Sequence, residues 1–340
     1  MSALYVERAG LVTSVGLGLD AACAAFRCKL ALPTESRLLS IRDEWVKVHR
    51  VVLAPEGRGL PKLARMAALA IGESLEALPD SVIGGIPLLL CVAEPERPGR
   101  IDGLDSHLFD AVTGLLGMRF AKGSGVIAAG RAGLGRALQQ ARSLMAQGRV
   151  SRVLVAAADS LLDWPTLQSL AEEGRLLGAG NSNGFMPGEA GAALLLGSAG
   201  SQPALQLRGL GFGTEPSPLA STTPLRCDGL ATAISSALGE AGLAFQDLDL
   251  RMADLSGEHY YFKEAALAVS RILRAHKEEL DLWHPAECTG ETGAAAPLCM
   301  MAYADVACRR GYSPGPRVLL HFGNDAGQRV AAVLQYGVAA

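Results

Sequence analysis

Val126 to Ser160, VIAAGRAGLGRALQQARSLMAQGRVSRVLVAAADS, reads as strand, glycine-rich turn, helix, turn and strand. Leu134, Leu138, Ala141 and Met145 recur at helical spacing and form one stripe. The spacing starts the helix just after Ala129-Gly130-Arg131, and Gly148 is placed to end it. A strand-to-helix elbow of this kind suits a nucleophile, because the amides of a helix start stabilise negative charge. This elbow has neither Cys nor Ser at its tip; it has Arg131.

Working outward, the same alternation covers the chain. Leu4 to Thr13 reads as a strand and Leu19 to Leu32 as an amphipathic helix, while Ala31 to Gly59 reads as irregular. Pro61 suits the first position of a helix that runs on through Leu78. Ile86 to Val92 has the continuous apolar character of a strand buried on both faces. Helices follow at Leu104–Leu116 and Trp164–Leu176, and a strand at Gly188–Leu196. The second half repeats the pattern, with strands at 205–212, 248–255, 318–322 and 329–335 and helices at 230–243, 261–280 and 293–310. Helix 131–148 with its strands has a counterpart in helix 293–310 with its own, so the chain reads as two duplicated βα halves, 1–200 and 201–340. Active sites in such architectures gather at the carboxyl ends of strands. That rule brings the elbow at Arg131 and the turns at Gly257 and Gly290 around one cleft.

Composition narrows the classes. The 340 residues carry a net charge of −3, which gives no global signature of nucleic-acid binding. No apolar run is long enough for a membrane span, and the start lacks a basic stretch followed by an apolar one, so a cytoplasmic protein is expected. Seven cysteines with no C-x-x-C pair point to free thiols in a reducing compartment, and no His/Cys set has zinc-ligand spacing. No metal and no cofactor is expected. Between Arg27 and Arg65, nine basic residues (Arg27, Lys29, Arg37, Arg42, Lys47, Arg50, Arg58, Lys62, Arg65) face four acidic ones (Glu35, Asp43, Glu44, Glu56). This local surplus reads either as solvated charge or as a dock for an acidic partner.

Three stretches carry a family resemblance: GFMPGEAGAAL at Gly184–Leu194, AISSALGEAGLAFQDLDL at Ala233–Leu250, and TGETGAAA at Thr289–Ala296. Together with the opening AGLVTSVGLGLDA, they resemble the thiolase-fold condensing enzymes, closest to the β-ketoacyl-[acyl-carrier-protein] synthases. The resemblance spans nearly the whole chain in order. It implies a five-layer αβαβα fold and a dimer. It also implies a Cys at a helix start that attacks an acyl thioester, two His that assist decarboxylation of a malonyl unit, and an oxyanion hole of backbone amides.

This chain departs from that set at every position. The nucleophile position falls on Arg131, the first His position on Ser256, and the second on Gly290 or Glu291. The family's F-G-x-G-G loop stands here as Phe322-Gly323-Asn324-Asp325-Ala326-Gly327, with an acid in place of one glycine. The segment Ser160–Asn183 is shorter than the family's pocket-covering insertions, which puts acyl binding in doubt. The vestigial site is therefore Arg131, Ser256, His259, Glu291, His321, Phe322 and Asp325. Arg131 is placed to pair with Glu291 or Asp325, or to hold an anion. The expected function is binding: a partner subunit, homodimeric or heterodimeric with a related synthase, or an adaptor for an acyl carrier protein or a secreted type VI effector. The alternative is an active acyl-transfer or condensing enzyme of fatty-acid or polyketide metabolism using unconventional residues, with Cys288, His259 and His321 as the relocated set.

Overall fold

The computed structural model describes residues 4–39, 44–76, 78–198 and 202–338; Arg42 and Asp43 of the basic stretch lie outside them. The first half runs β1 (Leu4–Val12), α1 (Leu19–Arg27), β2 (Thr34–Leu39), β3 (Trp45–Val48), α2 (Gly59–Leu75), α3 (Asp80–Ile83), β4 (Leu88–Val92), α4 (Leu104–Leu116), β5 (Gly125–Ala128), α5 (Gly133–Ala146), β6 (Arg152–Ser160), α6 (Trp164–Glu172) and β7 (Glu189–Gly197). The second runs β8 (Ala204–Thr214), α7 (Asp228–Ala241), β9 (Leu250–Ala253), α8 (His259–Ile272), β10 (Asp281–Trp283), α9 (Ala286–Thr289), α10 (Ala296–Arg309), β11 (Arg317–Gly323) and β12 (Gln328–Gly337).

Ten strands form one sheet in the order β10-β9-β11-β12-β8-β1-β7-β6-β4-β5. Outward from the β1–β8 junction the two sides match. β7 and β12 pair antiparallel to β1 and β8, then β6 and β11 pair antiparallel, then β4 and β9 parallel, then β5 and β10 parallel. The junction itself is short, Leu4 with Leu207 and Tyr5 with Gln206.

The strands are apolar throughout because both faces are covered. Along β6, Val153, Val155 and Ala157 enter a cluster with α5 and α10, while Leu154, Ala156 and Ala158 enter one with α2 and α4. Along β12, Val330, Ala332 and Leu334 join the first cluster, and Ala331 and Val333 join α7 and α8. The order is therefore outer helices, half-sheet, the central α5 and α10, half-sheet, outer helices: five layers built from two duplicated βα halves.

Several boundaries differ from the sequence reading. The stretch taken as irregular contains the β2–β3 hairpin, which packs Leu38, Val46 and Val48 on Leu167 of α6. Pro61 is the third residue of α2, which opens at Gly59. α1 stops at Arg27, where Lys29 turns left-handed (φ 53°). α6 stops at Glu172 ahead of Gly174 (φ 66°), and α8 stops at Ile272, where Leu273 is extended.

Candidate functional site

The elbow is a strand end, a 3-10 turn (Gly130–Ala132) and then α5. Gly130 takes a left-handed φ of 52°, which turns the Arg131 side chain inward. Arg131 is 7% exposed. Its Nη1 lies 3.2 Å from Glu291 Oε2 and 3.5 Å from Asp254 Oδ2, and its Nη2 lies 2.8 Å from Asp325 Oδ1. Nη2 also donates to the Tyr261 hydroxyl (3.1 Å), and the guanidinium stands over the Tyr261 ring at 4.9 Å. Tyr261 in turn donates to Asp325 Oδ1.

A second arginine closes the cleft from outside. Arg175, in the chain between α6 and β7, donates to both carboxylate oxygens of Glu258 (2.9 Å each) and to Asp325 Oδ2 (2.7 Å). A third forms one wall: Arg97 bridges Asp159 (2.7 Å) and Glu94 (2.8 Å). Asp159 also accepts the Ala294 N–H (2.7 Å), and Glu291 accepts the Gly293 N–H (2.9 Å), so these acids hold the 3-10 turn Gly293–Ala295 that leads into α10.

One guanidinium faces three carboxyls at Arg131, and the charges divide unevenly. Burial pushes Glu291 and Asp254 up, and Arg131 only partly offsets it. Burial acts on Asp325 too, but Arg131 and Arg175 outweigh it and hold that carboxyl well below the usual range. Burial acts against the charge on Arg131, and the surrounding Glu291, Tyr261, Asp254 and Asp325 overcome it, so the side chain stays a cation. It cannot attack a carbonyl. Nor can it hold a further anion at Nη1 or Nη2, because carboxylates and the Tyr261 hydroxyl already occupy both.

The cleft left beside these groups holds about 70 Å³, lined by Arg97, Arg131, Arg175, Phe185, Glu291 and Asp325 among others. That is room for a few waters, well under the roughly 300 Å³ at which small-molecule pockets begin.

The other sequence-derived positions are scattered. Ser256 is half-buried with its hydroxyl unpartnered, and it does not line the cleft. Phe322 is 1% exposed in the central core. Gly290 is packed against Met186 and His49. His259 is exposed at the start of α8. His321 is buried, and burial together with Arg251 holds its pKa down at about 3. Cys288 sits in the central core with Sγ 4.0 Å from the Ala25 carbonyl, and burial pushes it up to about 12. Among the described residues no hydrogen bond joins Cys288, His259 and His321. Burial also pushes Cys91, Cys227 and Cys299 up to about 12, so none of these is a ready thiolate.

Tyr261, Asp254, Arg175 and Arg97 belong to the site and were not singled out from sequence. Asp159 did leave a signal, an acid directly after the apolar run Val153–Ala158; Asp254 shares its strand reading with Asp249 and Arg251 and does not stand out.

No family model matches the chain. A Streptomyces coelicolor protein described as a polyketide beta-ketoacyl synthase is 36% identical over 93 residues, covering 27% of this chain and 22% of that protein. Solved structures match over almost the full length. A chain of the Xenorhabdus doucetiae ketosynthase in complex with its chain length factor superposes with TM-score 0.74 at 14% identity, covering 99% of this chain and 98% of that one. The oxazolomycin ketosynthase domain of Streptomyces albus gives 0.81 at 12% identity over 99% and 76%. A Burkholderia phymatum beta-ketoacyl synthase gives 0.73 at 15% over 99% and 100%. At these identities the likeness establishes the fold, which is the thiolase-like fold of ketosynthases and chain length factors.

Proposed function

We propose that this chain, with its thiolase-like ketosynthase fold, is a catalytically degenerate member that works by binding. The observation that carries the reading is the ion cluster at the elbow. Where a condensing enzyme has its nucleophile, a buried guanidinium is clamped by Asp254, Glu291 and Asp325, leaving about 70 Å³. A covalent acyl intermediate has no attacking atom there and no space. The cations of the cluster, Arg131 and Arg175, come from 1–200 and its carboxylates from 201–340. These two stretches are the proposed structural halves, with the former site acting as an ionic seam between them.

A partner-subunit role fits best. Structures with this fold include a ketosynthase in complex with its chain length factor and an acyl-carrier protein in complex with its ketosynthase. These assemblies support a heterodimer with an active ketosynthase more directly than they support an adaptor for a secreted effector. No described helix is long and apolar enough to cross a membrane, and a cytoplasmic setting is part of the proposal.

The test combines assembly and chemistry. Co-expressed with a ketosynthase of its own organism, the chain is expected to co-purify at one to one. Alone, with acyl and malonyl thioesters, it is expected to form no ketoacyl product. Stoichiometric labelling of one cysteine by an acyl chloroacetamide probe, with loss of a measured condensation, overturns the reading.

A further inference from the structure

The central helices α5 and α10 are equal in length and follow equal 3-10 turns, so Gly133 of α5 corresponds to Ala296 of α10. One face differs between them. In α10 it is Cys299, Ala302, Tyr303 and Val306, all buried. Helix α1 covers it: Ala22, Cys23 and Phe26 share a cluster with these residues, and Phe26 meets the Tyr303 ring edge-on at 5.3 Å. In α5 the same positions are Arg136, Gln139, Gln140 and Ser143, all exposed. The second half has no counterpart of α1, for among the described residues no helix lies between β8 and α7. The sheet beside this face is bare as well. Phe212 of β8 is 39% exposed, and a groove of about 270 Å³ opens between it, Arg136 and the start of β12. The charge of the groove has one sign, since neither Asp nor Glu lines it. Its buried Arg329 is neutralised by Glu264 and also donates to the Asn324 carbonyl. Arg136 makes no hydrogen bond or ion pair among the described residues. Glu240, which reaches this side from α7, has one oxygen on Arg142 (2.6 Å) and the other on the Leu210 N–H (2.8 Å).

We propose that Arg136 selects the chain that covers this face: a partner subunit with a carboxylate opposite Arg136 and an apolar side chain over Phe212, and not a second copy. The inference deepens the partner-subunit role proposed above and rests on it. Two-fold pairing sets a face against itself. Two copies would bury two guanidinium groups against glutamines, a serine and a phenylalanine, with no free carboxylate to receive either, and a buried unpaired charge is costly. A ketosynthase with an acid at that place turns the same charge into an interfacial pair. One side chain then both penalises the wrong partner and rewards the right one.

The experiment measures two dissociation constants for the full chain: that of its complex with a ketosynthase of its own organism, and that of its self-association followed by sedimentation. The complex is expected to be one to one and tighter than the self-dimer by about tenfold or more. Arg136→Glu is expected to weaken the complex by about tenfold or more while the melting temperature of the free chain holds. Arg136→Gln is expected to strengthen self-association by a similar factor, which loss of fold could not do. A photo-crosslinking residue at Gln140 is expected to map to a partner segment that contains Asp or Glu. Four results overturn selection by Arg136 and leave the partner-subunit role: a complex unchanged by Arg136→Glu, a self-dimer as tight as the complex, self-association unchanged by Arg136→Gln, or a Gln140 crosslink to a segment without an acid. Absence of any wild-type complex overturns the selection too. Joined with condensation of thioesters by the chain alone, it removes the binding role as well.

Discussion

The turn that starts α5 and the turn that starts α10 share a backbone. Gly130 (φ 52°) opens the 3-10 turn Gly130–Ala132, Gly293 (φ 56°) opens Gly293–Ala295, and each runs into a 14-residue helix. At α10 the free amides meet acids, Glu291 and Asp159, as the helix dipole favours. At α5 the residue at the tip is a cation, which the dipole opposes. Glu291, Asp254 and Asp325 hold it there. Two equal scaffolds thus carry opposite charge, and the paired groups decide it, not the helix start.

The largest expected effect breaks the unequal side of that comparison. Arg131→Ala leaves the buried Asp254 and Glu291 without their cation, while Asp325 keeps Arg175, and a broken buried pair of this kind costs about 3–5 kcal/mol. Urea denaturation is the measurement, and a loss under about 1 kcal/mol would mean the cluster is not an ionic clamp. Replacing the whole set, Arg131→Met with Asp254→Asn, Glu291→Gln and Asp325→Asn, is expected to recover most of the loss, because the charges are desolvated together or not at all.

The next effect comes from protonation. β6 and β11 occupy matching places in the sheet and both begin Arg-Val-Leu. Aligned from there, the buried Ala156 of β6 is the counterpart of the buried His321 of β11. Burial and Arg251 hold His321 down at about 3, against an ordinary 6.5. The folded state then binds fewer protons than the unfolded one, so stability falls as pH drops through 6.5 and stops falling near 3. Between pH 7 and pH 5 this contributes a loss of about 2 kcal/mol. Asp305, raised by burial to about 6, works in the opposite direction over the same window. The readout is therefore the difference from His321→Leu, whose stability should lack this acid slope. Parallel pH profiles for the two proteins would contradict a depressed histidine.

The sequence disclosed the fold more fully than the site, for physical reasons. A strand covered on both faces must be apolar along its whole length, and 152–158, 190–196 and 329–335 announce themselves that way. The β2–β3 hairpin did not, because TESRLL carries charges and its few inward residues, Leu38, Val46 and Val48, meet only a small cluster of α6 and its flanks, Leu162 and Leu176. In the site, Arg131, Glu291 and Asp325 were legible because each replaces an expected residue at a recognisable turn. Tyr261 and Arg175 were not. No spacing along the chain links 131, 175 and 261; only the closed fold brings them to Asp325.

The smallest effect sharpens the comparison at the two glycines themselves. A Cβ at Gly130 would stand 2.0 Å from Glu94 Oε2, and one at Gly293 would stand 2.1 Å from Asp159 Oδ2, so the crowding is equal on paper. Both also force a left-handed φ on an L-residue, about 1–2 kcal/mol each. The neighbours differ in freedom. The Glu94 side chain is 25% exposed, and although both its oxygens pair with Arg97 it makes no hydrogen bond to the backbone of the turn. Asp159 is 4% exposed and tied to Arg97 and the Ala294 N–H. Gly130→Ala should therefore lose little beyond the backbone strain. Gly293→Ala should lose about 1 kcal/mol more, the worth of a displaced charge-assisted hydrogen bond. Equal losses in denaturant titrations would mean that the acids holding the turn before α10 are as loosely held as Glu94, and that the two turns are alike in mechanics as well as in shape.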